Sequence, residues 1–150
     1  MIADALYAYL HFAAILMLAA ALFAEVLLLR AETGAATLRA LGKADLVYGI
    51  SAGLVLATGL ARLYMGAKGV AFYSQNPLFW TKLGLFLLLG LLSIPPTLRI
   101  LRWNRISKAD ASFVPAAEEL RGTRRLVLAE LHLLALVPLA AVFMARGAGA

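Results

Sequence analysis

The strongest constraint on this chain is its first apolar run, Ile2 to Leu29, which holds His11 and Glu25. A hydrocarbon core of ~30 Å needs ~20 apolar residues in a helix, so the run is long enough to cross a bilayer. His11 and Glu25 are 14 residues apart. At ~100° per residue they return to nearly the same helix face. Ionisable groups are costly in hydrocarbon, so that face is predicted to look into protein.

The rest of the chain continues the theme. Hydrophobic residues make up 63% of the 150 positions and charged residues 15%, against ~25% charge in a soluble domain. An all-α, polytopic four-helix membrane bundle in one domain is the expected fold. Cysteine is absent, which excludes disulfides and a thiolate metal site. The net charge of +6 does not point to nucleic acid, because the basic residues flank apolar spans as membrane-loop charges do. Asp4 and the length of the first run argue against a cleavable signal. The second position is Ile2 where myristoylation needs glycine, and there is no cysteine to carry another lipid.

Four spans are predicted, roughly over 3–29, 45–64, 78–98 and 124–145. A polar link is read over Ala31 to Ala44, with Glu32, Gly34, Arg39 and Lys43. The stretch Met65 to Pro77, with Gly66, Gly69, Ser74, Gln75 and Asn76, has turn composition. The loop from Arg99 to Thr123 carries most of the charge. Within it, Pro115 followed by Glu118 and Glu119 reads as a helix start. Pro95, Pro96 and Pro138 fall inside spans, where packing absorbs them with a kink. The tail Gly147 to Ala150 is expected to fray. Arg30, Arg39 and Lys43 crowd the first link. Arg99, Arg102, Arg105, Lys108, Arg121, Arg124 and Arg125 crowd the third, while the second has Lys68 with Arg62 nearby. The positive-inside rule then places the first and third links in the cytoplasm and both termini outside. Trp80 and Tyr73 are expected at the outer interface and Trp103 at the inner one.

Span two has two stripes. Gly49, Gly53, Ala57 and Ala61 recur every four residues, a ridge that allows close helix approach within the chain or in a homo-oligomer. Tyr48, Ser51, Thr58 and Arg62 fall within ~80° on another side, flanked by Asp45. This polar stripe supplies interhelical hydrogen bonds or lines a cavity or proton route.

The residues that could carry chemistry are few. His11 is a hydrogen-bonded structural histidine, a proton carrier or an axial haem ligand. At ~1.5 Å per residue it lies ~13 Å, and His132 ~20 Å, from the outer ends of their helices. Ligation of one haem iron by both would need a shift of about one turn. Glu130 and His132 are ~200° apart on their helix and cannot share a partner. Lys82 either snorkels to the outer headgroups or faces inward beside His11, where it could meet an anionic group such as a propionate. Glu25 is read as a structural hydrogen-bonding group, part of a proton relay, or a metal ligand with His132. Asp45, Arg30 and Glu130 lie in the same half. No nucleophile, phosphate-loop or dinucleotide motif is present, and no catalytic residue is identified.

Several stretches carry a resemblance. Tyr9-Leu10-His11-Phe12, Asp45-Leu46-Val47-Tyr48-Gly49, Asn76-Pro77 through Trp80-Thr81-Lys82, and Leu92-Ser93-Ile94-Pro95-Pro96-Thr97-Leu98-Arg99 resemble a family of uncharacterised four-helix membrane proteins of bacteria. That implies a multi-pass protein of the bacterial inner (plasma) membrane. More distantly, Leu10-His11 and Trp80-Thr81-Lys82 are similar to the membrane-embedded protoporphyrinogen IX oxidase and to copper-resistance D-like proteins. This likeness implies a haem b-binding oxidoreductase in which His11 and Lys82 have roles. Leu18 to Ala24 lacks the Trp and Ala-Gly that follow the first histidine in that oxidase. Three functions therefore stand: a haem- or porphyrin-associated redox protein, a proton-linked transporter through Glu25, Tyr48 and Glu130, and a structural membrane subunit.

Overall fold

A computed structural model describes residues 2–30, 33–65 and 69–146, with the backbone alone at positions 4, 72, 144 and 145. Ala31, Glu32, Gly66, Lys68 and the tail Gly147 to Ala150 lie outside the described residues. The elements are α1 (Ile2–Leu28), α2 (Ala35–Met65), α3 (Gly69–Ser74), α4 (Pro77–Ala109) and α5 (Ala117–Ala145). At 1.5 Å per residue, the four long helices span ~40–50 Å, more than the ~30 Å hydrocarbon core. Each contains a window long and apolar enough to cross a membrane: Ala5–Leu28, Ala35–Met65, Pro77–Ala109 and Ala117–Phe143.

The bundle is built from two hairpins. α1 packs along α2 and α4 along α5, while α2 touches α4 and α1 touches α5. The diagonal pairs α1/α4 and α2/α5 make no backbone contact among the described residues. Side chains reaching across a diagonal therefore meet in the middle of the bundle. Leu18, Leu22 and Val26 of α1, Leu38 and Leu41 of α2, Leu89, Ile100 and Trp103 of α4, and Val127 and Leu134 of α5 fill that interior. Leu16, Leu46, Leu56, Leu91 and Val142 are exposed. Apolar surface on this scale is what a lipid-facing wall requires.

The helices extend past the predicted spans. α2 begins at Ala35, so most of the expected link from Ala31 to Ala44 is helix. Its Ala, Leu, Arg and Lys residues are strong helix formers, and polarity ends a membrane span without ending a helix. The charged loop likewise shrinks to residues 110–116, because α4 continues to Ala109. Both α4 and α5 run on as helix through their internal prolines. The turn-rich connection after Met65 holds the short helix α3, opened by Gly69 at φ +71°, a backbone conformation that glycine adopts without strain.

Caps fix the ends. The Asn76 side chain accepts from the Leu78 N–H at 2.9 Å and Pro77 occupies the first turn of α4, a pairing that satisfies an orphan donor without needing one from proline. At the other end, the Ser112 N–H and hydroxyl both donate to Asp110 Oδ1, at 2.9 and 2.6 Å. These bonds hold the Asp110 carboxyl below its ordinary range. Glu118 and Glu119 sit in the first turn of α5, where they complement the helix dipole.

Trp103 departs from its expected place in an interfacial belt. It is fully buried, and its indole N–H donates to Glu119 Oε2 at 3.2 Å. Glu119 also accepts from Arg102 at 2.6 and 2.7 Å. The indole thus closes the packing between α4 and α5 instead of facing headgroups.

Candidate functional site

Two polar groups occupy the bundle interior, one toward each end. The first lies toward the α1–α2 and α4–α5 turns. It draws on four helices: Glu25 from α1, Asp45 and Tyr48 from α2, Ser93 and Thr97 from α4, and Glu130 from α5. Glu25 is 2% and Glu130 1% exposed, and Asp45 and Tyr48 are also buried. Asp45 and Glu130 both lie within electrostatic reach of Glu25. Thr97 donates its hydroxyl to Asp45 Oδ1 at 2.7 Å. The Tyr48 hydroxyl lies within hydrogen-bonding reach of the Ser93 hydroxyl and the Glu130 carboxyl. Glu25 Oε1, Glu130 Oε1 and Ser51 Oγ are buried without a hydrogen-bond partner. Buried polar atoms are rarely left open, so these oxygens call for an explanation. The only ion pair among the described residues, Arg102–Glu119, does not involve the cluster.

The second group lies toward α3. His11 Nδ1 is 2.9 Å from Thr58 Oγ1. Thr58 donates its hydroxyl to the Leu54 carbonyl at 2.6 Å, and the Val55 carbonyl is a further acceptor for the His11 ring. The neutral ring keeps a lone pair on one of its two nitrogens. A Cβ at Gly59 would lie 3.3 Å from His11 Cε1, so glycine lets the ring press against α2. Arg62 and Lys82 both lie within electrostatic reach of His11. Arg62 Nε is buried without a partner. Lys82 is half-buried, with its Nζ 5.5 Å from the centre of the Phe79 ring one turn earlier on α4.

His132 stands apart from both groups. It is exposed, and its Nδ1 donates to the Leu128 carbonyl of its own helix at 2.6 Å. The two-residue separation from Glu130 accounts for this, since burying one turns the other outward. The pairing of Glu25 with His132 around a metal is therefore not formed. No group of three His, Asp or Glu among the described residues is placed to hold a metal ion. His11 and His132 share no partner.

The small-residue ridge also faces outward. Gly49, Gly53 and Ala57 are exposed, and a Cβ at Gly49 or Gly53 would meet nothing within 4 Å. Within the chain, close approach is served by Gly42 and Gly59. A Cβ at Gly42 would overlap the Asn104 side chain.

Ser93 and Thr97 went unassigned as functional groups in the sequence. Their signal is the four-residue spacing, which puts both hydroxyls on one α4 face with Leu89, Pro96 and Ile100.

The four apolar helices and the match of one family model to residues 3–149, described as a predicted membrane protein (DUF2214), agree. The chain belongs to the DUF2214 family. As a DUF2214 member it is an integral membrane protein, embedded in the lipid bilayer by four apolar helices. Comparison with curated proteins and with solved structures gives no match.

Proposed function

We propose that this DUF2214 protein is a small proton-linked transporter whose route passes through Glu25, Tyr48 and Glu130. The observation that carries this reading is the pair of open oxygens, Glu25 Oε1 and Glu130 Oε1, buried beside a third acid, Asp45. Three ionised carboxylates inside a bundle would carry an uncompensated charge that protons or a cation must offset. A purely structural cluster would spend these oxygens on helix–helix hydrogen bonds, whereas a relay keeps acceptors open. Tyr48 supplies a hydroxyl that passes a proton between its neighbours by rotation. With the arginine-rich turns in the cytoplasm, both termini lie outside the bacterial inner membrane. The carboxylates then occupy the cytoplasmic half and His11 the outer half. In liposomes, Glu25→Gln slows acidification driven by a pH gradient, and an unchanged rate overturns the route.

A haem- or porphyrin-associated redox role is a second reading, favoured by His11. A neutral imidazole offers the lone pair that haem iron takes, and Lys82, near His11, would meet a propionate. Haem b would supply one-electron chemistry. His132, facing outward, has no part in it. A Soret band in protein purified after haem supplementation, lost in His11→Ala, supports this reading. Absence of the band removes it.

A further inference from the structure

We infer that Arg62 and Lys82 form an anion-binding site inside the α3 end of the bundle, taking a single carboxylate or phosphate group. This stands apart from the proton route, which uses none of these residues; it shares Lys82 with the haem reading but requires no haem.

Arg62 lies in the last turn of α2 and Lys82 in the second turn of α4. The two helices are neighbours, and the two cations are close enough to act on each other. Neither forms an ion pair with an acid among the described residues. Holding two partly buried positive charges together costs free energy unless a negative charge joins them. Arg62 Nε is buried with no acceptor, although a guanidinium presents five N–H donors in a fork that suits carboxylate and phosphate. Lys82 is half-buried and lies near Arg62 and His11. In its neutral form His11 carries no charge, so Arg62 and Lys82 supply the binding charge. Both side chains start ~5–8 Å inside their helix ends, by the 1.5 Å rise. That depth is open both to a lipid headgroup phosphate and to a free anion from the aqueous side.

The test uses the full chain in phosphatidylcholine nanodiscs. Inorganic phosphate is titrated while thermal unfolding is followed. In parallel, native mass spectrometry counts phosphatidylglycerol molecules retained from mixed micelles. A phosphate-dependent rise in Tm that Arg62→Gln and Lys82→Gln each weaken at least tenfold in midpoint concentration supports a site for free anions. One retained phosphatidylglycerol that both variants lose, without a phosphate effect, supports the site with a headgroup as its source. Arg39→Gln, exposed near the other end, leaves either result unchanged. Binding of neither probe, or equal binding by wild type and both variants, overturns the inference. If Arg62→Gln does not fold, Arg62→Lys, which keeps the charge, is compared with Lys82→Gln. Retained binding in the first and loss in the second then supports the site, and equal binding overturns it.

Discussion

Tyr48 and Glu130 face each other across the diagonal of the bundle: the tyrosine hydroxyl on α2 lies close enough to the carboxyl on α5 for the two to act on each other, although those helices share no backbone contact. A hydrogen bond between them would link the two hairpins, α1–α2 and α4–α5. Interhelical hydrogen bonds in membranes contribute ~0.6 kcal/mol on average and up to ~1.7. A double-mutant cycle of Tyr48→Phe and Glu130→Gln, followed by unfolding in mixed micelles, is expected to give a coupling of about 0.6–1.7 kcal/mol. Additive effects would show that the two side chains do not interact.

Thr58 holds the Nδ1 edge of His11. Its hydroxyl donates to the Leu54 carbonyl, and its oxygen, 2.9 Å from Nδ1, is placed to accept from Nδ1–H beside the Val55 carbonyl. Thr58→Val removes that acceptor while keeping the side-chain shape. Nitrogen NMR of labelled histidine should then show His11 losing its preference for hydrogen on Nδ1. The substitution should cost about 1 kcal/mol of stability. An unchanged tautomer would remove Thr58 from this role.

Glu119 matters through Trp103 more than through Arg102. The Arg102–Glu119 pair has side chains 53% and 39% exposed, and exposed ion pairs contribute ~0–1 kcal/mol. Trp103 is fully buried, so losing its acceptor leaves an indole N–H unsatisfied at a cost of ~1–3 kcal/mol. Glu119→Ala is therefore expected to lower stability more than Arg102→Ala. Glu119→Gln, which keeps an acceptor for the indole, should fall between them. Chemical unfolding of the three variants checks the order.

Gly49 and Gly53 lie on the exposed face of α2 with open space around them. Alanine in an exposed helix interior is favoured over glycine by up to ~1 kcal/mol per site. Gly49→Ala and Gly53→Ala should each raise the unfolding midpoint of the detergent-solubilised protein. Gly59→Ala places its methyl 3.3 Å from His11 Cε1 and should gain less or lose stability. The midpoints of the three variants decide it.

Much of the architecture was legible because length and hydropathy dictate it. Four apolar runs of sufficient length give four membrane helices, and the inward face of His11 and Glu25 follows from their 14-residue spacing. The polar stripe of Tyr48, Ser51, Thr58 and Arg62 also turns inward, because burying polar groups in protein costs less than exposing them to lipid. The true helix ends were not legible. Hydropathy marks where hydrocarbon stops, while the caps at Asn76 and Asp110 mark where the helices stop. Neither was the fate of Trp103, since an indole suits a headgroup belt and a buried acceptor equally. The direction of the Gly49–Gly53 ridge was also hidden. A ridge of small residues permits contact without specifying a partner, whereas Gly42 and Gly59 became recognisable only once Asn104 and His11 were seen packed against them.

Proton passage through the buried carboxylates is read from the initial rate of proton entry into liposomes under a fixed pH gradient, with the membrane potential clamped. Wild-type protein should acidify the lumen, while Glu25→Gln and Glu130→Gln should each cut the rate at least tenfold. Asp110→Asn, in the exposed turn between α4 and α5, should leave it intact. Equal rates for wild type, both glutamine variants and protein-free vesicles would rule out the carboxylate route.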